Sequence, residues 1–302
     1  MDTAKLKIIG KKLYQTQFLK EMKRYLVYLV RCRCHEEQIT GLLNFFEATP
    51  LREQLLTGTP AFVEQTTRAF FYQGSTLAER IQLVERHVEH LETHCSEEFL
   101  VRLYGQGQQV TLWQEEFQEQ PLTFELWFHA GQRKEGCLSL VLKWNEEYLY
   151  QIMFWLSPSA VDAAPSLWIG ALQGPQKGGE VIKALTKRFF GYRTKNLIFY
   201  GLRNVAKELG CQHIYAVSNA GYYAMNHVRL DRKLKTSFGD FWEECEGQVC
   251  SDSRFYEIPI EEYRKDMSEM KPSKRANHRR RFEAMDAITA SINASLCPYL
   301  KV

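Results

Sequence analysis

The chain has 302 residues, enough to bury a large core and to divide into two structural regions. Hydrophobic residues make up 45% and charged residues 25% of it, a composition typical of a soluble globular protein. The formal net charge of +3 is too small to indicate nucleic-acid binding, and no apolar run reaches the ~18 residues that a membrane span needs.

Cysteine usage and the first residues bear on the compartment. The eight cysteines are scattered, which is typical of reduced and mostly buried thiols rather than of a disulfide framework. The opening Met1-Asp-Thr-Ala-Lys5 lacks the basic-then-apolar order of a secretory signal. We therefore expect a cytoplasmic protein without a transmembrane segment.

Residues 1–108 predict helices. Apolar residues recur at helical spacing from Phe18 to Val30, and residues 62–71 form another helix candidate. The clearest helix opens with the capping-box pattern Thr76-Leu-Ala-Glu79. Its apolar positions fall on one narrow seam, which is typical of a packing helix: Leu77, Ile81, Val84, Val88 and Leu91.

From about residue 110 the hydrophobic period changes from helical to alternating. Residues 122–128 and 138–144 alternate apolar and polar side chains, and residues 148–156 form a third, more uniformly apolar run. Short turns between consecutive strands predict an antiparallel meander.

A parallel unit is predicted to follow the meander. Ser166–Leu172 and His213–Val217 are apolar strand candidates, and two helical segments lie between them, the second with Thr194 as its cap. Residues 255–260 predict a last strand. We therefore predict an α+β protein in which a helical N-terminal region packs on a mixed sheet over 109–265, followed by a basic helical tail over 266–302.

Three motifs in order resemble the VirK/YbjX family of bacterial proteins. They are Ile169-Gly-Ala-Leu-Gln-Gly-Pro175, Ala216-Val-Ser-Asn219 and Asp240-Phe-Trp-Glu-Glu244, and the stretch from Pro272 to Phe282 resembles the family's ending. The resemblance spans roughly residues 20–295. It implies a protein associated with virulence and cell-envelope traits, in a family without a settled reaction.

A meander followed by strand, helix and strand is also similar to the acetyltransferase-like (GNAT) superfold. That resemblance implies a coenzyme A thioester held where a strand splays and a helix N-terminus faces the pyrophosphate, because free N–H groups and the helix dipole bind anions. The superfold's two-glycine phosphate loop is lacking here. The candidate cofactor-binding residues are Gly178, Gly179, Arg193, Thr194 and Lys195. A plain helix start with solvated basic residues is the alternative.

Polar residues near the strand ends are the candidates for chemistry. Gln173 and Asn219 end two central strands, where amides orient substrates, although they equally satisfy turn backbone. General acid or base work needs a side chain with a shifted pKa. The candidates for that role are Glu135, Tyr222 and His227, with Glu243 and Glu244 behind them.

Two further clusters invite functional interpretations. His87, His90 and His94 lie on one side of a helix, but this spacing equally describes a half-exposed polar flank, and we predict no metal site. Basic residues crowd between Lys271 and Arg281, a pattern typical of a solvated helix start; the functional alternative is an anionic membrane surface or an acidic partner. Nucleic acid is not favoured, because no aromatic residues are interleaved with the basic ones.

These observations lead to three functional hypotheses. The first is an acyltransferase-like enzyme that uses an acyl-coenzyme A or acyl-carrier-protein thioester on an envelope-related or peptide acceptor. The second is a non-catalytic accessory protein that docks on a cell-envelope system through its basic tail. The third is a histidine-rich, metal-dependent enzyme. Peripheral attachment at the inner membrane is open under the first two.

Overall fold

The computed structural model of the chain describes residues 3–175, 179–226 and 237–301. Within these residues, a run of helices precedes the sheet. They are α1 (Thr3–Leu13), α2 (Leu19–Cys34), α3 (Glu36–Glu47), α4 (Pro50–Gly58), α5 (Ala61–Thr67), α6 (Leu77–His94) and α7 (Glu97–Leu100). None of the helices in the described ranges is both long and apolar enough to cross a bilayer.

The strands of the described residues form one mixed sheet of eight. They are β1 (Val110–Phe117), β2 (Gln120–Trp127), β3 (Leu138–Trp144), β4 (Glu147–Leu156), β5 (Ser166–Gln173), β6 (His213–Val217), β7 (Gln248–Val249) and β8 (Phe255–Ile258). The spatial order is β1-β2-β3-β4-β5-β6-β8-β7. Every neighbouring pair is antiparallel except β5 and β6, which are parallel. The predicted α+β architecture with a mixed sheet is confirmed.

The remaining helices connect or cover the strands. They are α8 (Gly179–Arg188), α9 (Thr194–Glu208), α10 (Phe238–Glu244) and α11 (Pro272–Leu296). Helices α8 and α9 make the crossover between the parallel strands, as parallel pairing requires. Both α6 and α9 pack against β4, so the middle of the sheet is buried beneath helices.

The capping box that the sequence predicts for the start of α6 is present in the structure. The Glu79 backbone N–H donates to the Thr76 hydroxyl at 3.2 Å, and the Thr76 N–H donates to a Glu79 carboxylate oxygen at 2.7 Å. These bonds satisfy N–H groups that the first turn leaves without partners. The seam residues Val84, Val88 and Leu91 are fully buried.

The C-terminal helix is part of the core. Helix α11 starts at Pro272, earlier than the predicted start at Phe282, and it packs against α9 and β1. A proline in the first turn costs no hydrogen bond, because that N–H has no intrahelical partner. The buried face of α11 joins the same hydrophobic cluster as the sheet: Met285, Ile288, Ile292 and Leu296.

Candidate active site at Glu135

The site lies where the two parallel strands separate. Their pairing ends at Ile169 and Ala216, whereas β5 continues to Gln173. The loop before β3 rests on β5 at this point: a Cβ built on Gly170 would lie 1.8 Å from the carbonyl oxygen of Glu135. Only a residue without a side chain allows so close a backbone contact.

Three of the four predicted catalytic side chains meet at this point. The Tyr222 hydroxyl donates to one carboxylate oxygen of Glu135 at 2.6 Å, and the Gln173 amide donates to the other at 2.8 Å. The Gln132 amide donates in turn to the Gln173 carbonyl oxygen at 3.1 Å. Glu135 itself is only 2% exposed. The result is a buried carboxyl group with a defined partner on each oxygen.

This environment shifts both titrating groups. Burial raises the pKa of Glu135 to about 7, although the hydrogen bonds from Tyr222 and Gln173 act in the opposite direction. Burial and the neighbouring Glu135 carboxyl together hold the pKa of Tyr222 well above its usual value. At neutral pH the carboxyl is therefore poised between its two forms beside a neutral phenol. Such a pair is suited to accept and return a proton.

A segment of the N-terminal region fixes both halves of this pair. The Phe71 N–H donates to the carbonyl oxygen of Lys134, and the Gln73 N–H donates to that of Gly221, both at 2.8 Å. Tyr72 lies between them and forms an isolated antiparallel bridge with Tyr222. Residues 70–73 therefore connect the Glu135 loop to the chain that follows β6.

A surface cleft borders the site on the β4 side. It has a volume of about 520 Å³ and is lined by residues that include Tyr148, Tyr150, Gly174 and the amides of Gln132 and Gln173. These two amides separate the cleft from the Glu135 carboxyl, to which Gln173 is bonded. A cleft of this size holds a small organic ligand or part of a larger one.

Asn219 lies apart from the Glu135 cluster. Its side-chain oxygen accepts from the Phe238 N–H at 2.6 Å, and its amide donates to the Ser237 hydroxyl at 3.0 Å. The Ser237 hydroxyl also accepts from the Asp240 N–H and so caps α10. Asn219 therefore organises a helix start, which agrees with the turn-backbone alternative.

Three members of the predicted cofactor set, Arg193, Thr194 and Lys195, each have partners within the protein. Arg193 forms an ion pair with Glu244, and the Lys195 ammonium lies 3.8 Å above the Phe241 ring. Thr194 is buried and its hydroxyl donates to the Ile182 carbonyl at 3.5 Å. The predicted cap at Thr194 is wrong, because the residue at the N-cap is Arg193 and it makes no side-chain cap bond.

The other predicted residues are dispersed or lie outside the described ranges. Gly179 is exposed at the start of α8, and a Cβ built there would meet nothing within 4 Å. The Glu243 carboxylate accepts from the Tyr256 hydroxyl at 3.1 Å. Gly178 and His227 lie outside the described residues.

Sequence reasoning missed Gln132 and the role of Gly170. Gln132 carries no motif, so nothing along the chain could have singled it out. Gly170 did carry a signal, because a glycine inside an apolar strand marks a bulge or a close backbone approach. That signal would have placed another backbone segment against the middle of β5.

Comparison with known proteins now supports a family assignment. A family model described as "Protein of unknown function (DUF535)" matches residues 17–294. The chain belongs to this DUF535 family. It is 28% identical over 252 residues to the uncharacterized protein YbjX of Escherichia coli K12, covering 82% of this chain and 75% of the relative.

A second relative extends the similarity to nearly the whole chain. It is an uncharacterized protein of Haemophilus influenzae, 23% identical over 281 residues, with 91% of each chain covered. These findings confirm the resemblance to the VirK/YbjX family. No solved structure matches this DUF535 chain, so the likeness to the acetyltransferase superfold is not confirmed.

The three histidines of α6 are engaged separately. His87 is fully buried, so the predicted half-exposed flank is wrong for it; its Nδ1 accepts from the Leu156 N–H at 3.1 Å. Its Nε2 therefore carries the proton and donates to the Tyr104 hydroxyl at 2.7 Å. His90 Nε2 bonds the Leu209 carbonyl, and His94 Nδ1 bonds the His90 carbonyl. In the described part of the chain, no three metal-ligating side chains are grouped.

These buried imidazoles predict acid sensitivity of the DUF535 chain. Burial lowers the pKa of His87 to about 3 and that of His90 to about 4, from 6.5 in the unfolded chain. Below pH 6.5 the unfolded state takes up these protons and the folded state does not, so the free energy of unfolding decreases as the pH is lowered. We expect a loss of roughly 2 kcal/mol per histidine between about pH 7 and about pH 5. Denaturant titrations at both pH values measure it, and His90→Gln should remove about half; an unchanged slope in His90→Gln would contradict the assignment.

The basic stretch of the predicted tail forms the first turns of α11. Arg275 donates to the Met270 carbonyl, and Arg281 donates to that of Phe190. The other four side chains are exposed: Lys271, Lys274, Arg279 and Arg280. Part of the cluster therefore supports the fold, and part faces outward.

Proposed function

We propose that this DUF535 protein is an acyltransferase-like enzyme that moves an acyl group from a thioester to a hydroxyl or amine acceptor. The observation that carries the proposal is the buried Glu135 carboxyl, with a pKa raised to about 7 and the Tyr222 hydroxyl bonded to it at 2.6 Å. Acyl transfer needs a group of this kind, because the acceptor must lose a proton as it attacks.

The topology of the sheet around Glu135 and Tyr222 also supports the proposed acyl transfer. Among the strands that the structure describes, one parallel pair, β5 and β6, follows an antiparallel meander and is joined by a helical crossover. The acetyltransferase-like superfold has this order, and it binds its donor where the two parallel strands part. In open sheets, ligands favour such strand ends. The Glu135–Tyr222 pair occupies that position here.

The proposed reaction transfers one proton in each direction. The acceptor O–H or N–H gives its proton to the Tyr222 oxygen, while the Tyr222 proton passes to the ionised Glu135. The acceptor atom then bonds to the thioester carbonyl carbon, and the carbon–sulfur bond breaks as the tetrahedral intermediate collapses. The leaving thiolate takes the proton back from Glu135 through Tyr222. Gln173 holds the carboxyl in place through its 2.8 Å hydrogen bond.

The donor is proposed to be a coenzyme A or acyl-carrier-protein thioester. The 520 Å³ cleft beside Gln173 is large enough for the acyl and thiol portion. Arg193 is the phosphate contact that fits best among the predicted ones: its ion pair with Glu244 is about half-exposed on both sides, at 54% and 50%. Such surface pairs are weak, so a phosphate group can replace the carboxylate. The acceptor is proposed to be an envelope-related molecule or a peptide.

The direct test measures donor binding and thiol release. Calorimetry with acetyl- and longer acyl-coenzyme A, and with acylated carrier protein, should show binding of at least one donor. Tyr222→Phe should bind that donor normally but turn over about 100-fold more slowly, because the relay hydroxyl is lost. Glu115→Gln is the matched control, since Glu115 is a partly buried carboxyl on the edge strand β1. No binding to any thioester would refute the proposal.

A second candidate function rests on the outward part of the basic cluster. An accessory protein that docks through α11 would use Lys274, Arg279 and Arg280, which are exposed. Deleting the tail cannot test this idea, because α11 contributes Ile288 and Ile292 to the core. Charge reversal at the three exposed positions is the suitable test: loss of the cellular phenotype there, with full function in Tyr222→Phe, would favour docking over catalysis.

A further inference from the structure

Helix α2 presents apolar side chains on the face where solvent should favour polar ones. Its inner face buries Tyr25, Tyr28 and Cys32. At 100° per residue, the opposite face carries four large aliphatic residues within about 100° of arc. Their exposed fractions are 91% for Leu19, 54% for Leu26, 40% for Val27 and 61% for Val30. A contiguous exposed ridge of this kind marks an interaction surface.

Basic side chains border the ridge on one side. Lys20, Arg24 and Arg31 fall within about 40° of one another, next to the aliphatic arc, and Lys23 lies within the arc itself. Helix α2 contains five basic residues and one acidic residue, Glu21, and so carries a net charge of +4. Helix α2 therefore has two apolar faces. One is buried in the protein, and the other is exposed and bordered by basic side chains.

The basic border opens into a recess. It has a volume of about 250 Å³ and lies between α2 and the end of α5. Its lining includes five basic side chains, Lys20, Lys23, Arg24, Arg31 and Arg68, together with Thr67. Arg24 shares its charge with Glu21, and Arg68 shares its charge with the buried Glu64. A phosphate group fits both the size and the charge of this recess.

We propose that α2 is a docking surface for an anionic lipid bilayer. Leu19, Leu26 and Val30 enter the boundary between headgroups and acyl chains, and the basic border binds lipid phosphates. Charge complementarity selects this occupant. A second copy of the chain would bring two positive surfaces together, and a nucleic acid would leave the aliphatic ridge in water. The surface lies on α2, and its recess is lined by neither the side chains of the Glu135 site nor those of α11.

Vesicle flotation of the full chain tests the proposal. Vesicles of phosphatidylethanolamine with phosphatidylglycerol should bind the protein, vesicles of phosphatidylcholine alone should not, and added salt should weaken binding. Lys20→Glu with Arg31→Glu should lower the apparent affinity about tenfold or more. Leu19→Ser with Val30→Ser should also lower the apparent affinity. This variant should in addition lose the residual binding that the unaltered chain shows at high salt.

The matched control is Lys183→Glu with Lys187→Glu, which changes the charge equally at two exposed positions of α8. It should bind vesicles as the unaltered chain does. All of these side chains are exposed, so thermal unfolding should be unchanged and a folding defect can be recognised. Absence of binding to anionic vesicles would overturn the proposal, as would full binding by both α2 variants. Lys274→Glu with Arg279→Glu tests α11 in the same assay, and loss of binding in that variant alone would assign the membrane surface to α11 instead.

Discussion

Glu135→Gln is expected to lower the rate of acyl transfer about 100-fold or more, while donor binding is retained. The amide keeps the size of the carboxyl and still accepts from the Tyr222 hydroxyl, but it cannot take up a proton. The rate of the unaltered enzyme should rise with pH through about 7, where Glu135 ionises. Stopped-flow thiol release from pre-bound donor separates this chemical step from binding.

The same substitution has a readout that needs no substrate. The folded-state pKa of Glu135, about 7, is above the ordinary 4.5, so the native state holds this proton more tightly than the unfolded state. The stability that this proton contributes is complete below 4.5 and is lost as pH rises to about 7. We expect the unaltered chain to lose about 3 kcal/mol over this range relative to Glu135→Gln.

Denaturant titrations of the two proteins across the range measure this difference. Glu115→Gln controls for a generic effect of neutralising a partly buried carboxyl, since its partner is Arg188 on α8. A parallel pH dependence in the unaltered chain and in Glu135→Gln would show that Glu135 titrates as an ordinary carboxyl. That result would remove the basis of the proposed mechanism.

Gly170→Ala is expected to destabilise the fold by about 3 kcal/mol. The added methyl would lie 1.8 Å from the Glu135 carbonyl oxygen, and that atom belongs to the backbone, so the loop before β3 must move. The Glu135 carboxyl would move with it, away from Tyr222 and Gln173 and toward water. Its pKa should then fall toward 4.5, and the pH dependence of stability should flatten.

Gly41→Ala is the control for this substitution. Gly41 lies within α3, and a Cβ there would meet nothing within 4 Å. Alanine should stabilise that helix by about 1 kcal/mol, since it loses less backbone entropy than glycine. Equal effects at the two positions, measured as unfolding free energies, would mean that the backbone contact at Gly170 is not tight.

Local patterns were sufficient for much of the fold. The capping box predicts the start of α6 because its two members, Thr76 and Glu79, are only three residues apart in sequence. The alternation over 138–144 likewise predicts β3. The crossover between β5 and β6 followed from two apolar strands with helical segments between them. The start of α11 was misplaced because its first turns are stabilised by distant carbonyls, such as that of Phe190, rather than by an apolar stripe.

The candidate site could be predicted only in part. Glu135, Gln173 and Tyr222 were named from residue type and from their place near strand ends, but their mutual bonds join positions far apart in sequence. Whether a charged side chain already has a partner is equally a property of the folded chain. Arg193 and Lys195 were predicted to bind phosphates. In the structure Arg193 forms an ion pair with Glu244, and the Lys195 ammonium lies over the Phe241 ring.

The clamp formed by residues 70–73 has a consequence for how this protein can be divided. Phe71 and Gln73 donate to the two segments that carry Glu135 and Tyr222, so the geometry of this pair depends on a stretch of the N-terminal helical region. A shortened chain starting at residue 109 would keep every strand of the sheet but lose that clamp. Glu135 and Tyr222 would then lose the backbone bonds that hold their segments together, so the N-terminal helical region is an integral part of the candidate site rather than an accessory module.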